Sequence, residues 1–182
     1  TALSFTEPAA VVGTALGGGY AIAYAAKYPD RVSRLVATSP ATGVTGQRGK
    51  GLLQRAELVT SEGMRAAVDA SLSLSYPDSL RDDKARYERY RNRWITNDPM
   101  SFAALNVMLA NADMDWIFEQ IQCPSLILGA TRDPIRTPAT VKELAARIAD
   151  SIYREVDAGH FMAMQSPALF LDETLEFLLG DG

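Results

Sequence analysis

Ala9-Ala10-Val11-Val12-Gly13-Thr14-Ala15-Leu16-Gly17-Gly18-Gly19 is the stretch on which the fold turns. An apolar run of strand length meets glycine and opens directly onto a helical stretch, residues 16–27, that Tyr28-Pro29-Asp30 closes. The reading is strand, tight turn, helix. Further along, Arg34-Leu35-Val36-Ala37-Thr38 is stopped by Ser39-Pro40, and Pro124-Ser125-Leu126-Ile127-Leu128-Gly129 is a third apolar run. Both have the composition of parallel strands buried on two faces. Residues 152–156 supply a fourth strand. Val141, Leu144, Ala145 and Ile148 mark an amphipathic helix over 138–149, and residues 168–179 form a last helix stopped by Gly180. Strands alternating with helices predict an α/β fold with a mostly parallel sheet and right-handed crossovers.

Between the second and third strands that rhythm breaks. Residues 43–119 lack β-branched apolar runs and read instead as helices over 52–60, 62–74, 79–94 and 99–112. The expectation is a core from residues 1–42 and 120–182 with a helical insertion at 43–119, hinged where Gly43, Gly46, Gly49 and Gly51 cluster.

Composition narrows the function. The chain has 182 residues, 47% of them hydrophobic, and 18 Lys plus Arg against 22 Asp plus Glu leave a net charge of −4. No overall positive field is available to a nucleic acid backbone. Cys123 is the single cysteine and His160 the single histidine, so neither an internal disulfide nor a Cys/His zinc cluster is expected, and no cofactor or metal is called for. No apolar run approaches the roughly 20 residues that cross a bilayer, and the opening TALSFTEPAA has no basic flank or signal core. These features predict a cytoplasmic protein with no membrane partner.

Three positions could carry chemistry. The glycine-rich turn at 13–19 is compatible with a dinucleotide loop, but position 15 is alanine and the next strand ends Ala37-Thr38-Ser39, without the acid that would hold a ribose. It also has the spacing of a nucleophile elbow, G-x-S-x-G, with alanine where the serine belongs. Simple close packing of helix on sheet would produce the same glycines. Asp133 follows the third strand and His160 the fourth, at the strand ends where open α/β sheets place active sites. A turn aspartate and a structural histidine are the bland readings of each. Together the three occur in the order nucleophile position, acid, base.

These motifs, with Tyr28-Pro29-Asp30-Arg31-Val32, Cys123 to Gly129, Gly159-His160 and Ser166-Pro167, resemble the later part of an α/β-hydrolase, and the resemblance spans essentially the whole chain. Asn97-Asp98-Pro99-Met100-Ser101-Phe102-Ala103-Ala104 is similar to the cap of the 3-oxoadipate enol-lactonases, whose expected Arg-Trp pair meets Leu74-Ser75-Tyr76 here. The resemblance implies His160 as general base and acid, Asp133 as its orienting carboxylate, Leu16 as one oxyanion N–H donor, Ala15 at the nucleophile position, and 43–119 as a cap. It implies a lactone, ester or related carbonyl substrate. Alanine has no nucleophilic atom, so either a serine has been replaced and this chain is inactive, or the chain is a naturally non-hydrolytic relative, such as a ligand-binding scaffold or a cofactor-free oxygenase using His160 as base. The fold also places strands before the elbow, and these are expected on another segment or chain. Thr1 is a remote alternative as an N-terminal nucleophile.

Basic residues outnumber acidic ones from 81 to 94, where Tyr87, Tyr90, Arg91 and Trp94 share one helical face. Arg91 and Trp94 are therefore the expected substrate-binding residues for an anionic substrate. The alternative is a solvated helix whose aromatics pack inward.

Overall fold

The structure, a computed structural model, describes residues 6–44 and 46–180; Thr1 lies outside them. The chain divides into two compact units, residues 1–41 with 114–182, and residues 42–113. Residues 114–119, which the sequence reading gave to the insertion, cluster with the first unit.

The first unit is built on a four-stranded parallel sheet in the order β1 (Ala9–Thr14), β2 (Val32–Thr38), β3 (Ser125–Ala130) and β4 (Ser151–Val156). Its helices are α1 (Leu16–Lys27), α6 (Pro138–Ala145), the short α7 (Met162–Gln165) and α8 (Pro167–Leu179). Strand alternation divides the core. Leu35, Ala37 and Ile127 face α1 and α6 and pack with Ile22, Ala25, Val141 and Leu144. Val36, Leu126 and Leu128 face the other way, into a cluster with Met162 of α7 and Leu169, Phe170 and Phe177 of α8. Each of these strand residues is completely buried, as two-sided coverage of a parallel sheet requires. Register brings the strand ends level: Thr14 pairs with Thr38, Thr38 with Leu128, and Ala130 with Val156. The loops that follow β1, β2, β3 and β4 therefore leave one edge of the sheet together.

β1 is an edge strand of this sheet. Val12 is 45% exposed, and Tyr20, Tyr24 and Tyr28 of the adjoining helix and its end stand open beside it.

The second unit comprises α2 (Gly46–Glu62), α3 (Met64–Ser75), α4 (Lys84–Ile95) and α5 (Pro99–Asn111). Its core joins Val59, Val68, Leu72, Tyr76, Trp94 and Ala103. Tyr76 is the aromatic hub, with Tyr87 and Tyr90 at 5.2 and 5.7 Å between ring centroids. Two boundaries differ from the sequence reading. Of the glycines expected to hinge, Gly43 precedes α2 at φ 117° and Gly46 opens it at φ 64°, while Gly49 and Gly51 lie inside the helix, where packing outweighs the roughly 1 kcal/mol helix penalty of each glycine. The third helix starts at Lys84 rather than 79, where Asp83 caps it by accepting from the Arg86 N–H at 2.8 Å.

The close approach of α1 to the loop after β2 fixes one residue. A Cβ on Gly19 would stand 2.1 Å from the Ala41 carbonyl oxygen, a backbone atom that has no rotamer to yield. Gly19→Ala is expected to destabilise the first unit by about 2 kcal/mol or more, read as a lower denaturant midpoint at unchanged m-value. A midpoint within error of the parent would show that the approach is looser than this.

Candidate active site

Gly13 lets β1 run into α1. A Cβ there would stand 2.2 Å from the Gly17 carbonyl oxygen, so only glycine closes the turn. Ala15 follows at φ 52°, ψ −118°, a backbone conformation costly for any residue with a Cβ. Neighbouring strand ends hold it there. Its N–H donates to Thr38 O at 2.9 Å, and its carbonyl accepts from Gly19 N at 3.1 Å and Ala41 N at 2.9 Å. Close helix packing alone asks for glycine but not for a strained alanine. Leu16 opens α1, so its N–H is one of the first-turn donors for which the helix has no acceptor.

Asp133 and His160 meet. His160 Nδ1 lies 2.8 Å from Asp133 Oδ2, with both residues buried. The other carboxylate oxygen accepts from the backbone N–H groups of Ile135 at 2.8 Å and Arg136 at 3.0 Å, so Asp133 closes its own Asp-Pro turn and is held in one orientation. Burial alone would raise the Asp133 carboxyl, but the hydrogen bond and charge of His160, the Arg136 N–H and the neighbouring Ser39 hydroxyl outweigh it. The net effect holds this carboxyl below the usual carboxylate range. A carboxylate at Nδ1 fixes the tautomer in which Nε2 is free to accept a proton.

The loops bearing these two groups are stitched together. Thr131 N donates to Val156 O at 2.9 Å and Arg132 N to Ala158 O at 3.0 Å, so the backbone ladder of β3 and β4 continues past the strand ends. Thr131 Oγ1 and Arg132 Nε also donate to Asp157 Oδ1, at 3.0 and 2.6 Å. Sequence reading did not single out this clamp, because Asp157 and Arg132 lie 25 residues apart and become neighbours only through strand pairing. It also missed Ser39, which directly follows β2. Ser39 has φ 44° and is 1% exposed, and its Oγ finds no partner at hydrogen-bonding geometry among the described residues, although it lies near enough to favour the charged form of Asp133. The two non-glycine residues with positive φ among those described, Ala15 and Ser39, thus sit at adjacent strand ends.

The expected substrate-binding pair is placed differently. Trp94 is 8% exposed and packs edge-on against Phe102 at 5.1 Å in the core of the second unit. Arg91 is ion-paired to Asp69 at 3.1 Å. The helical face read as a ligand surface is the packing face of α4, with Trp94 buried in the core of the second unit and Tyr87 and Tyr90 packed against it. Among the described residues no group of three or more His, Cys, Asp or Glu is arranged to hold a metal, and no helix is long and apolar enough to cross a membrane.

The family model described as Hydrolase_4, serine aminopeptidase S33, matches residues 3–157. This chain belongs to that family. Its fold is that of the α/β-hydrolases, as a comparison of structures bears out. An enol-lactonase from Burkholderia xenovorans LB400 superposes with a TM-score of 0.88 at 27% identity, covering 94% of this chain and 66% of that one. A thermophilic esterase from Thermogutta terrifontis gives 0.85 at 24% identity, covering 95% and 65%, a likeness of fold. Among curated sequences, a protein of Caulobacter segnis named as a candidate carbamate hydrolase, RutD, is 28% identical over 184 residues, covering 98% of this chain and 68% of its own length. The chain therefore spans about two thirds of the relatives it matches.

Proposed function

We propose that this Hydrolase_4 member is built for serine-type hydrolysis of a small carbonyl substrate, a lactone, ester or carbamate, with His160 as general base and acid, Asp133 as its orienting carboxylate and the Leu16 N–H in the oxyanion hole. Ala15 occupies the nucleophile position, which leaves this chain without the covalent step. The observation that carries the reading is the strained backbone at Ala15 beside a buried Asp133–His160 pair. Strain of this kind costs on the order of 1–3 kcal/mol, persists only where the surrounding structure enforces it, and clusters at active sites. The relatives' printed activities, on an enol-lactone, an ester and a carbamate, share attack on a carbonyl carbon, and that shared step is what is carried here. The helical unit is assigned as the substrate-selecting cap. The open edge of β1 is assigned as the place where further strands of the sheet pair.

The direct test is covalent. Ala15→Ser, assayed together with the sheet segment that pairs on β1, should acquire one fluorophosphonate label per chain by intact mass, with the label at position 15. The parent and the double variant Ala15→Ser/His160→Ala should stay unlabelled. A folded Ala15→Ser protein that takes no label would favour the rival reading of a binding protein or a cofactor-free oxygenase.

A further inference from the structure

We propose that Arg55, held by Asn106, is the anchor of an anion site in the helical unit and takes a ligand bearing a carboxylate. Six of the fourteen arginines pair with an acid: Arg81 with Asp78, Arg86 with Asp83, Arg91 with Asp69, Arg132 with Asp157, Arg147 with Asp115 and Arg154 with Glu173. Arg55 does not. Its Nε and Nη2 both donate to one neutral acceptor, Asn106 Oδ1, at 2.9 and 2.7 Å, and its guanidinium lies 5.8 Å from the Phe102 ring centre.

Asn106 is 6% exposed and fixed in turn, its Nδ2 donating to Phe102 O at 2.7 Å. α2 and α5 thus present a guanidinium whose inner edge is tied to an amide. Arginine has five N–H donors, and two are spent on Asn106. The rest meet no acceptor among the described residues, and they are not sealed from solvent, since Ser39 Oγ is the only fully buried polar side-chain atom without a partner among those residues.

The electrostatics agree. Burial is what lowers the Arg55 pKa, with no nearby acid acting against it, while a guanidinium at this site stays protonated. A half-buried cation satisfied only by an amide carries a desolvation cost that an internal acid would normally offset. A ligand carboxylate can do the same from outside, accepting two parallel N–H bonds from the outer edge of the fork. One guanidinium with a carboxamide behind it suits a monoanionic carboxylate better than a phosphate dianion. The assignment goes beyond the hydrolase reading and does not rest on it.

The test reads binding rather than turnover, so it stands apart from the outcome at Ala15. In the isotope-labelled 182-residue chain, the Arg55 Nε–H cross-peak is identified by its loss in Arg55→Lys. Glutarate should move it saturably and dimethyl glutarate should not. Asn106→Asp, which supplies an internal carboxylate, should weaken glutarate at least tenfold, and Arg55→Gln should abolish its effect on Tm. If Arg55→Gln does not fold, the parent titration and Asn106→Asp still decide. A cross-peak indifferent to glutarate, moved equally by the diester, or moved more strongly by inorganic phosphate would overturn the proposal, as would an Asn106→Asp protein that binds as the parent does.

Discussion

Ala15→Ser is expected to raise kcat/KM for hydrolysis of an activated ester or lactone by about 10³ to 10⁶ over the parent chain, when assayed with the sheet segment proposed to pair on β1. The size follows from what is already in place. The elbow backbone is held at φ 52° by three hydrogen bonds that do not involve the side chain, so a serine would enter the same conformation. His160 is oriented by Asp133, and the Leu16 N–H is uncommitted within its helix, so the proposed base and the proposed oxyanion donor need no rearrangement. On the proposed reading only the nucleophilic oxygen is missing, and adding it changes the covalent step while leaving ground-state binding nearly as it was. Affinity for a substrate measured on the parent should therefore match the Ala15→Ser KM within a few fold, where chemistry is slow. A folded serine variant inert toward lactones, esters and carbamates would remove hydrolysis from consideration.

Much of this was legible in the sequence because it depends on local chain geometry. Gly13 and Gly19 announced a turn and a close approach, and the fully buried runs at Leu35-Val36-Ala37 and Leu126-Ile127-Leu128 had no polar residue that could face water. Strand ends on one sheet edge follow from parallel order, so Asp133 and His160 could be paired without any contact information. What stayed hidden depends on contacts between distant segments. Tyr87, Tyr90 and Trp94 share a helical face whether it meets ligand or core, and periodicity does not distinguish the two; Tyr76, from another helix, settles it. Arg91 looked free because Asp69 lies 22 residues away, whereas Arg55 looked ordinary because nothing local says that its partner is an amide. Ser39 gave no signal at all, since a serine before proline announces a strand end and not a left-handed backbone.

Removing the carboxylate that orients the proposed base should cost nearly as much as supplying the serine gains. In the Ala15→Ser background, Asp133→Asn is expected to lower kcat by about 10⁴ while leaving KM within a few fold, because an amide at that position can donate to Nδ1 and favours the tautomer with the proton on Nε2, where it cannot accept one from serine. The same substitution has a signature in stability that does not require turnover. The Asp133 carboxyl is held below its ordinary value in the folded protein, so its ionised form contributes stability that is fully present above the unfolded value near pH 4 and is lost as pH falls through the lower folded value. Asp133→Asn should therefore be less stable than its parent at neutral pH, with the difference shrinking as the solution is acidified below about pH 4. Urea midpoints of both proteins across that range would measure it. A difference that stays constant or grows toward acid would mean that Asp133 is not the stabilised anion facing His160, and the base would then have to be oriented by another group.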